Sequence, residues 1–213
     1  MWQFFKRKYK RGTPVSSLAT TTDNSESKTV PYTIEGKNEA ALLFAEKIIE
    51  VFEHPNIALT SEIEYGLDSP QARQRLYKIL IGRSVVPYAN LLRKALAKEV
   101  EYRDALWHGT VEDDGDCYQG IYRCAFLIYH LRSLDDVHTL WAAKHLNMDV
   151  GSSMGAEFFI GAGLEATISY LAESNLPDSG EISDYISGWF SQDDAEEWQE
   201  DWEADMASNI SNM

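Results

Sequence analysis

Apolar residues recur at spacings of three and four along most of the chain, and short polar breaks divide the pattern into segments of helical length. The first starts at Asn38, a capping residue type. It places Leu42, Ala45, Ile49 and Phe52 on one face, widened by Phe44 and Ile48, and Pro55 stops it. Ser69-Pro70 opens the next, because a capping serine followed by proline in the first turn wastes no helical N–H. Ala72, Leu76, Ile79 and Leu80 form its inner side and Gly82 ends it. Ser84 begins another, with Pro87 in its first turn and Leu91, Leu92, Ala95 and Leu96 as its apolar side. That helix runs toward Trp107 and closes at Gly109.

The segment from Tyr118 to Leu131 is apolar nearly all round, which predicts a helix at the centre of the core. Asp135 and Asp136 stand in the first turn of the following helix, where carboxylates complement the helix dipole. It carries Leu140, Trp141 and Lys144 and is expected to end near Asn147. A Gly/Ser turn at Gly151–Ser153 leads to a helix from Glu157 to Leu171, with a break at Asn175-Leu-Pro177. The stretch after it supplies one or two last helices. Nothing alternates in the manner of strands. The prediction is an all-α, multi-helix domain over residues 38–213, a helical bundle or a short α-solenoid-like stack. No fixed-period repeat supports the stack. Residues 1–37 form a basic start and a flexible Ser/Thr-rich linker, since Thr13 to Lys37 buries too little to offset its ordering entropy.

Charge sharpens this picture. The chain of 213 residues has a formal net charge of −15. A field of that sign excludes nucleic acid as a ligand of the body and points to a basic protein as partner. The first twelve residues run against the trend, with five bases (Lys6, Arg7, Lys8, Lys10, Arg11) and no acid. With Trp2, Phe4 and Phe5 they suggest, as an alternative, a helical adaptor tethered by this start through weak contact with an anionic membrane surface. No stretch approaches the roughly 18 apolar residues of a membrane span, and no apolar run follows the basic start as a secretory signal requires. Cys117 and Cys124 lie about 10 Å apart along one helix, too far for a disulfide. They read as buried thiols of a cytoplasmic protein.

Candidate chemistry is sparse. Phe158-Phe-Ile-Gly-Ala-Gly163 imitates a dinucleotide turn, with Glu181 near the expected ribose-binding position. It lacks a clear third glycine and a strand–helix alternation, so helix packing against the glycines is the better reading. The histidines are His54, His108, His130, His138 and His145, with Asp104 one turn before His108. Asp104 with His108, and His138 with His145 seven residues apart, have spacings that metal sites use, but such a site wants three or four convergent ligands, and no His-x-x-x-His or Glu-x-x-His pair occurs. Capping or half-buried histidines are expected, and neither a metal nor another cofactor. An enzyme with a metal or small-molecule site among His108, Cys117, His130, His138 and His145 is the competing class. Glu112 to Asp116 is acidic but lacks the ligand ladder of a calcium loop. No serine sits in a nucleophile elbow, so no catalytic residue is assigned.

The strongest signal is at the C-terminal end. From Glu173 to Met213 there are twelve acids and no Lys or Arg, interleaved with Ile182, Tyr185, Ile186, Trp189, Trp198, Trp202 and Met206. Trp198, Trp202, Met206 and Ile210 step by four, which predicts a docked helix with an apolar ridge rather than a disordered brush. Aromatic anchors among acids suit a basic partner, the acids steering association and the rings holding the complex. The expected contact residues are Glu196, Glu197, Trp198, Glu200, Asp201, Trp202 and Glu203, with Asp113, Asp114 and Asp116 second.

Leu140-Trp-Ala-Ala-Lys-His-Leu-Asn-Met-Asp149, followed by Glu157-Phe-Phe-Ile-Gly-Ala-Gly-Leu-Glu-Ala-Thr-Ile-Ser-Tyr-Leu171, resembles a segment of small acidic helical proteins encoded beside bacterial polymorphic toxins. The likeness departs from that pattern around Met148 and Gly151–Ser153. It implies a cytoplasmic, non-enzymatic immunity protein that neutralises a toxin domain by binding it.

Overall fold

The computed structural model describes residues 34–53, 66–113 and 115–213, with the backbone alone for 34–38 and 51–53. The basic start, most of the Ser/Thr-rich linker, His54, Pro55, Asp114 and the Phe52 side chain lie outside what is described. Nine α-helices and no strand occur among the described residues, as the hydrophobic spacing predicts. They are α1 (Ile34–Glu53), α2 (Pro70–Leu80), α3 (Ala89–Trp107), α4 (Gly120–Tyr129), α5 (Val137–Lys144), α6 (Met148–Ser153), α7 (Leu164–Glu173), α8 (Ser179–Phe190) and α9 (Ala195–Ser211). None is long and apolar enough to cross a membrane.

The start of α2 follows the expected chemistry: Ser69 Oγ accepts from the Ala72 N–H at 3.3 Å and Pro70 takes the first turn. At the far end of α3, Gly109 adopts φ +67, a conformation that side chains disfavour. Every residue of α4 from Gly120 to Ile128 is buried, so this helix is the axis of the core. Helices α2, α3 and α9 all lie against it. Lys78 of α2 also donates to the main-chain carbonyl of the C-terminal Met213. A solenoid unit touches only its neighbours in sequence, so contact of α2 with α9 and with Met213 makes the described helices a bundle.

Several expectations about the elements change. Helix α1 begins at Ile34, so Asn38 lies inside it rather than capping it. Its buried side is Ala41, Ala45, Ile48 and Ile49, and Leu42 faces water at 41% exposure. The helix expected to end near Asn147 ends at Lys144, and Asn147 itself starts the next one: its Oδ1 accepts from the Val150 N–H at 3.0 Å. Gly151–Ser153, expected as a turn, is the end of that short helix. Lys144 Nζ secures it by donating to the carbonyls of Gly151 (2.6 Å) and Met154 (2.7 Å). The single helix expected from Glu157 to Leu171 is two pieces, a 3-10 turn at Ala156–Phe159 and α7. Gly163 breaks it at φ +100. Gly161 lies against the Tyr129 main-chain carbonyl at the end of α4, where any Cβ would collide. The Gly161-x-Gly163 pattern therefore serves a helix contact and follows a 3-10 turn, with no strand before it.

A charged network crosses the core. Arg73 of α2 forks onto Glu99 of α3 (2.7 and 3.2 Å), and the Tyr77 hydroxyl donates to the same carboxylate at 2.8 Å. Arg73 and Glu99 are 1% and 0% exposed. Burial opposes the charge on Arg73, yet the Glu99 carboxylate holds its pKa above the ordinary value. Gly120 makes room for this pair, since a Cβ there would strike both the Glu99 carboxylate and the Gln74 amide. Arg123 of α4 then donates to Gln74 Oε1 (2.6 Å) and Asn209 Oδ1 (3.0 Å), fixing the last turn of α9 to the core.

Candidate protein-binding site

Helix α9 has one side in the core and one in water. Its buried line is Ala195, Gln199 and Ile210, with Trp202 and Met206 half-buried between them. The Trp202 ring meets Phe126, Tyr129 and Phe158 edge to face, at centroid distances of 5.3, 5.3 and 4.8 Å. Gln199 Nε2 donates to the Tyr129 hydroxyl at 3.2 Å, and that hydroxyl donates to Glu203. Burial, reinforced by the Glu203 carboxylate, pushes the Tyr129 pKa up.

The docked helix is present, but its ridge differs from the expected one. A step of four residues turns about 40° too far, so three steps carry Trp198 roughly 120° round from Ile210. Trp198 therefore sits at the seam between core and water, 50% exposed. The acids expected at the interface divide accordingly. Glu196, Glu197, Glu200 and Asp201 are exposed on the outer side of α9. Glu203 and Trp202 are engaged with Tyr129 and the core.

The second acidic group stands apart from the first. Asp113 is exposed, and its Oδ1 accepts from the Tyr102 hydroxyl and the Tyr118 N–H, both at 3.1 Å. Asp116 is exposed at φ 54. Its carbonyl meets Arg123, the residue that also holds Asn209. This turn thus adjoins the C-terminal end of α9, and Glu196 lies about 20 Å away along the helix at 1.5 Å per residue. Asp113 and Asp116 do not share one patch with Glu196 and Glu197.

The elbow between α8 and α9 adds a feature that the apolar spacing did not single out. Trp189 and Trp198 approach at 6.2 Å between centroids, 69° apart in plane. With Gln192, Asp194 and Ala195 they enclose a recess of about 220 Å³. Trp198 is held from behind, its Nε1 donating to Glu157 Oε1 at 2.5 Å. Glu157 is itself buried at 5% exposure. Trp189 Nε1 is buried without an acceptor. The legible signal was two tryptophans flanking Ser191-Gln-Asp-Asp194, a break that brings the end of one helix beside the start of the next.

Comparison with protein-family models, with curated proteins and with solved structures returns no match. The residues must therefore carry the functional reading. Three of the described histidines occupy helix ends. His108, His130 and His145 follow the last residues of α3, α4 and α5, and the ring Nδ1 of His108 and of His145 meets the carbonyl one turn back at 2.9 Å. His138 lies beside Ser179 and Tyr170 instead. No group of three potential metal ligands converges among the described residues. Both cysteines are buried, and burial pushes the Cys124 thiol up, away from the reactive thiolate. Lys144, after which no Lys or Arg follows, faces Tyr185 at 4.8 Å and donates to the carbonyls that close α6. Burial lowers its pKa, while Glu157 acts the other way.

Proposed function

We propose that this chain is a non-enzymatic binding protein that engages a basic protein through the exposed side of α9. In this reading it is a cytoplasmic bacterial immunity protein whose partner is a toxin domain. What supports it is one arrangement: Glu196, Glu197, Glu200 and Asp201 face water on a helix anchored by Trp202 and Ile210, with no Lys or Arg anywhere after Lys144. Acids on a fixed frame raise the encounter rate with a cationic surface and lose little entropy on docking. The half-exposed Trp198 beside them is the residue type that carries binding energy at the centre of interfaces.

The test is capture from the native cell with the full chain as bait, followed by co-expression. The expected catch is a basic protein that arrests growth alone and is relieved by this chain. The variant carrying Glu196→Ala, Glu197→Ala, Glu200→Ala and Asp201→Ala should retain less of it and protect poorly. Equal retention and protection by that variant would overturn the reading.

A further inference from the structure

The recess at the α8–α9 elbow has walls suited to one kind of group. Two indoles border it, and an indole ring face attracts a cation. Asp194 stands in its lining, exposed, and Asp193, Glu196 and Glu197 flank it in sequence. Nothing in the segment from Glu173 to Met213 supplies a positive charge. Trp198 does not swing freely, because Glu157 holds its indole N–H. A wall fixed before binding spares the entropy of ordering a large side chain.

We propose that this recess receives an arginine side chain of the partner protein, its guanidinium against the Trp198 and Trp189 rings and hydrogen-bonded to Asp194. The inference rests on the reading of this face as a protein-binding surface and names the group that anchors it. Arginine fits better than lysine for two physical reasons. Its planar, weakly hydrated guanidinium stacks on aromatic rings, and its fork of N–H donors matches a carboxylate.

The probe is N-acetyl-arginine amide, titrated into the full chain at low salt while the indole N–H signals are followed by NMR. N-acetyl-citrulline amide, neutral and nearly the same shape, is the control, and N-acetyl-lysine amide is the rival cation. Saturable shifts confined to Trp189 and Trp198 are expected. Citrulline should bind about fivefold or more weakly, and lysine between the two. Asp194→Asn should weaken the arginine response, and Trp198→Ala should remove it. Trp198→Phe keeps a ring without the Glu157 bond and should retain a reduced response in Trp189, which guards against a folding artefact. Equal responses to arginine and citrulline, or shifts spread over the acidic surface, would overturn the inference. Absence of arginine binding alongside charge-dependent capture of a basic partner would remove the recess from the account and leave the binding function standing. Arginine binding without any basic partner would do the reverse.

Discussion

The replacement Trp202→Ala separates a docked acidic helix from an undocked one. The Trp202 ring makes edge-to-face contacts with Phe126, Tyr129 and Phe158, two of which are themselves buried. Truncating a fully buried tryptophan costs about 3–5 kcal/mol. Trp202 keeps part of its surface in water, so the expected loss is about 2–4 kcal/mol, a good part of it from three ring pairs worth about 0.5–1.5 kcal/mol each. A domain of this size has about 5–15 kcal/mol in all. The thermal midpoint should drop by roughly 5–15 °C. Guanidinium denaturation followed by circular dichroism measures the loss, and hydrogen exchange over residues 195–211 locates it. Wild-type amides around Trp202 should be protected, and in the variant they should exchange faster than those of α4. A loss below about 0.5 kcal/mol, within the range of neutral surface substitutions, would refute the docking argument.

Three further outcomes test the frame that carries the helix. Glu99→Ala leaves the Arg73 guanidinium charged and enclosed, and should cost about 3–5 kcal/mol in urea unfolding; adding Arg73→Met should recover much of it. Gly161→Ala forces a methyl against the Tyr129 carbonyl and should cost about 1–3 kcal/mol, whereas Gly188→Ala, open to solvent inside α8, should gain about 0.5–1 kcal/mol. His130 has its pKa lowered by burial against Phe126 and Tyr129, with Arg132 acting the same way and Glu203 opposing. Its unfolded form therefore binds a proton first, near about pH 6.5, so stability should fall as pH drops from about 7.5 to 5.5. His130→Asn should flatten that slope in urea midpoints measured across the window.

Local chemistry explains which parts of this fold were legible. Ser69-Pro70 declares a helix start within two residues, and the apolar run from Ile121 to Ile128 leaves no side for water, so both elements follow from their own segments. Gly151-Ser-Ser153 has turn composition, yet it is helical because Asn147 caps its start and Lys144 reaches from α5 to its closing carbonyls. Both partners are within ten residues in sequence: the Asn147 cap is a readable helix start, whereas the fold-back of the Lys144 side chain leaves no mark in composition. Glu99 looks like an ordinary exposed acid of an amphipathic helix. Its partner Arg73 is 26 residues away, and only the assembled bundle brings them together. The candidate site shows the same division. Its charge is plain in the sequence, whereas the exposure of Trp198 depends on a 40° drift per step and the recess on how α8 meets α9.

The rate of association with the captured partner, measured against ionic strength, tests the central claim most directly. At low salt the wild-type chain should associate at least about tenfold faster than the variant lacking Glu196, Glu197, Glu200 and Asp201, and the two rates should converge near 1 M salt, where charges are screened within about 3 Å. Equal rates at low salt, or a gap that persists at high salt, would contradict a docked acidic helix that steers a basic protein.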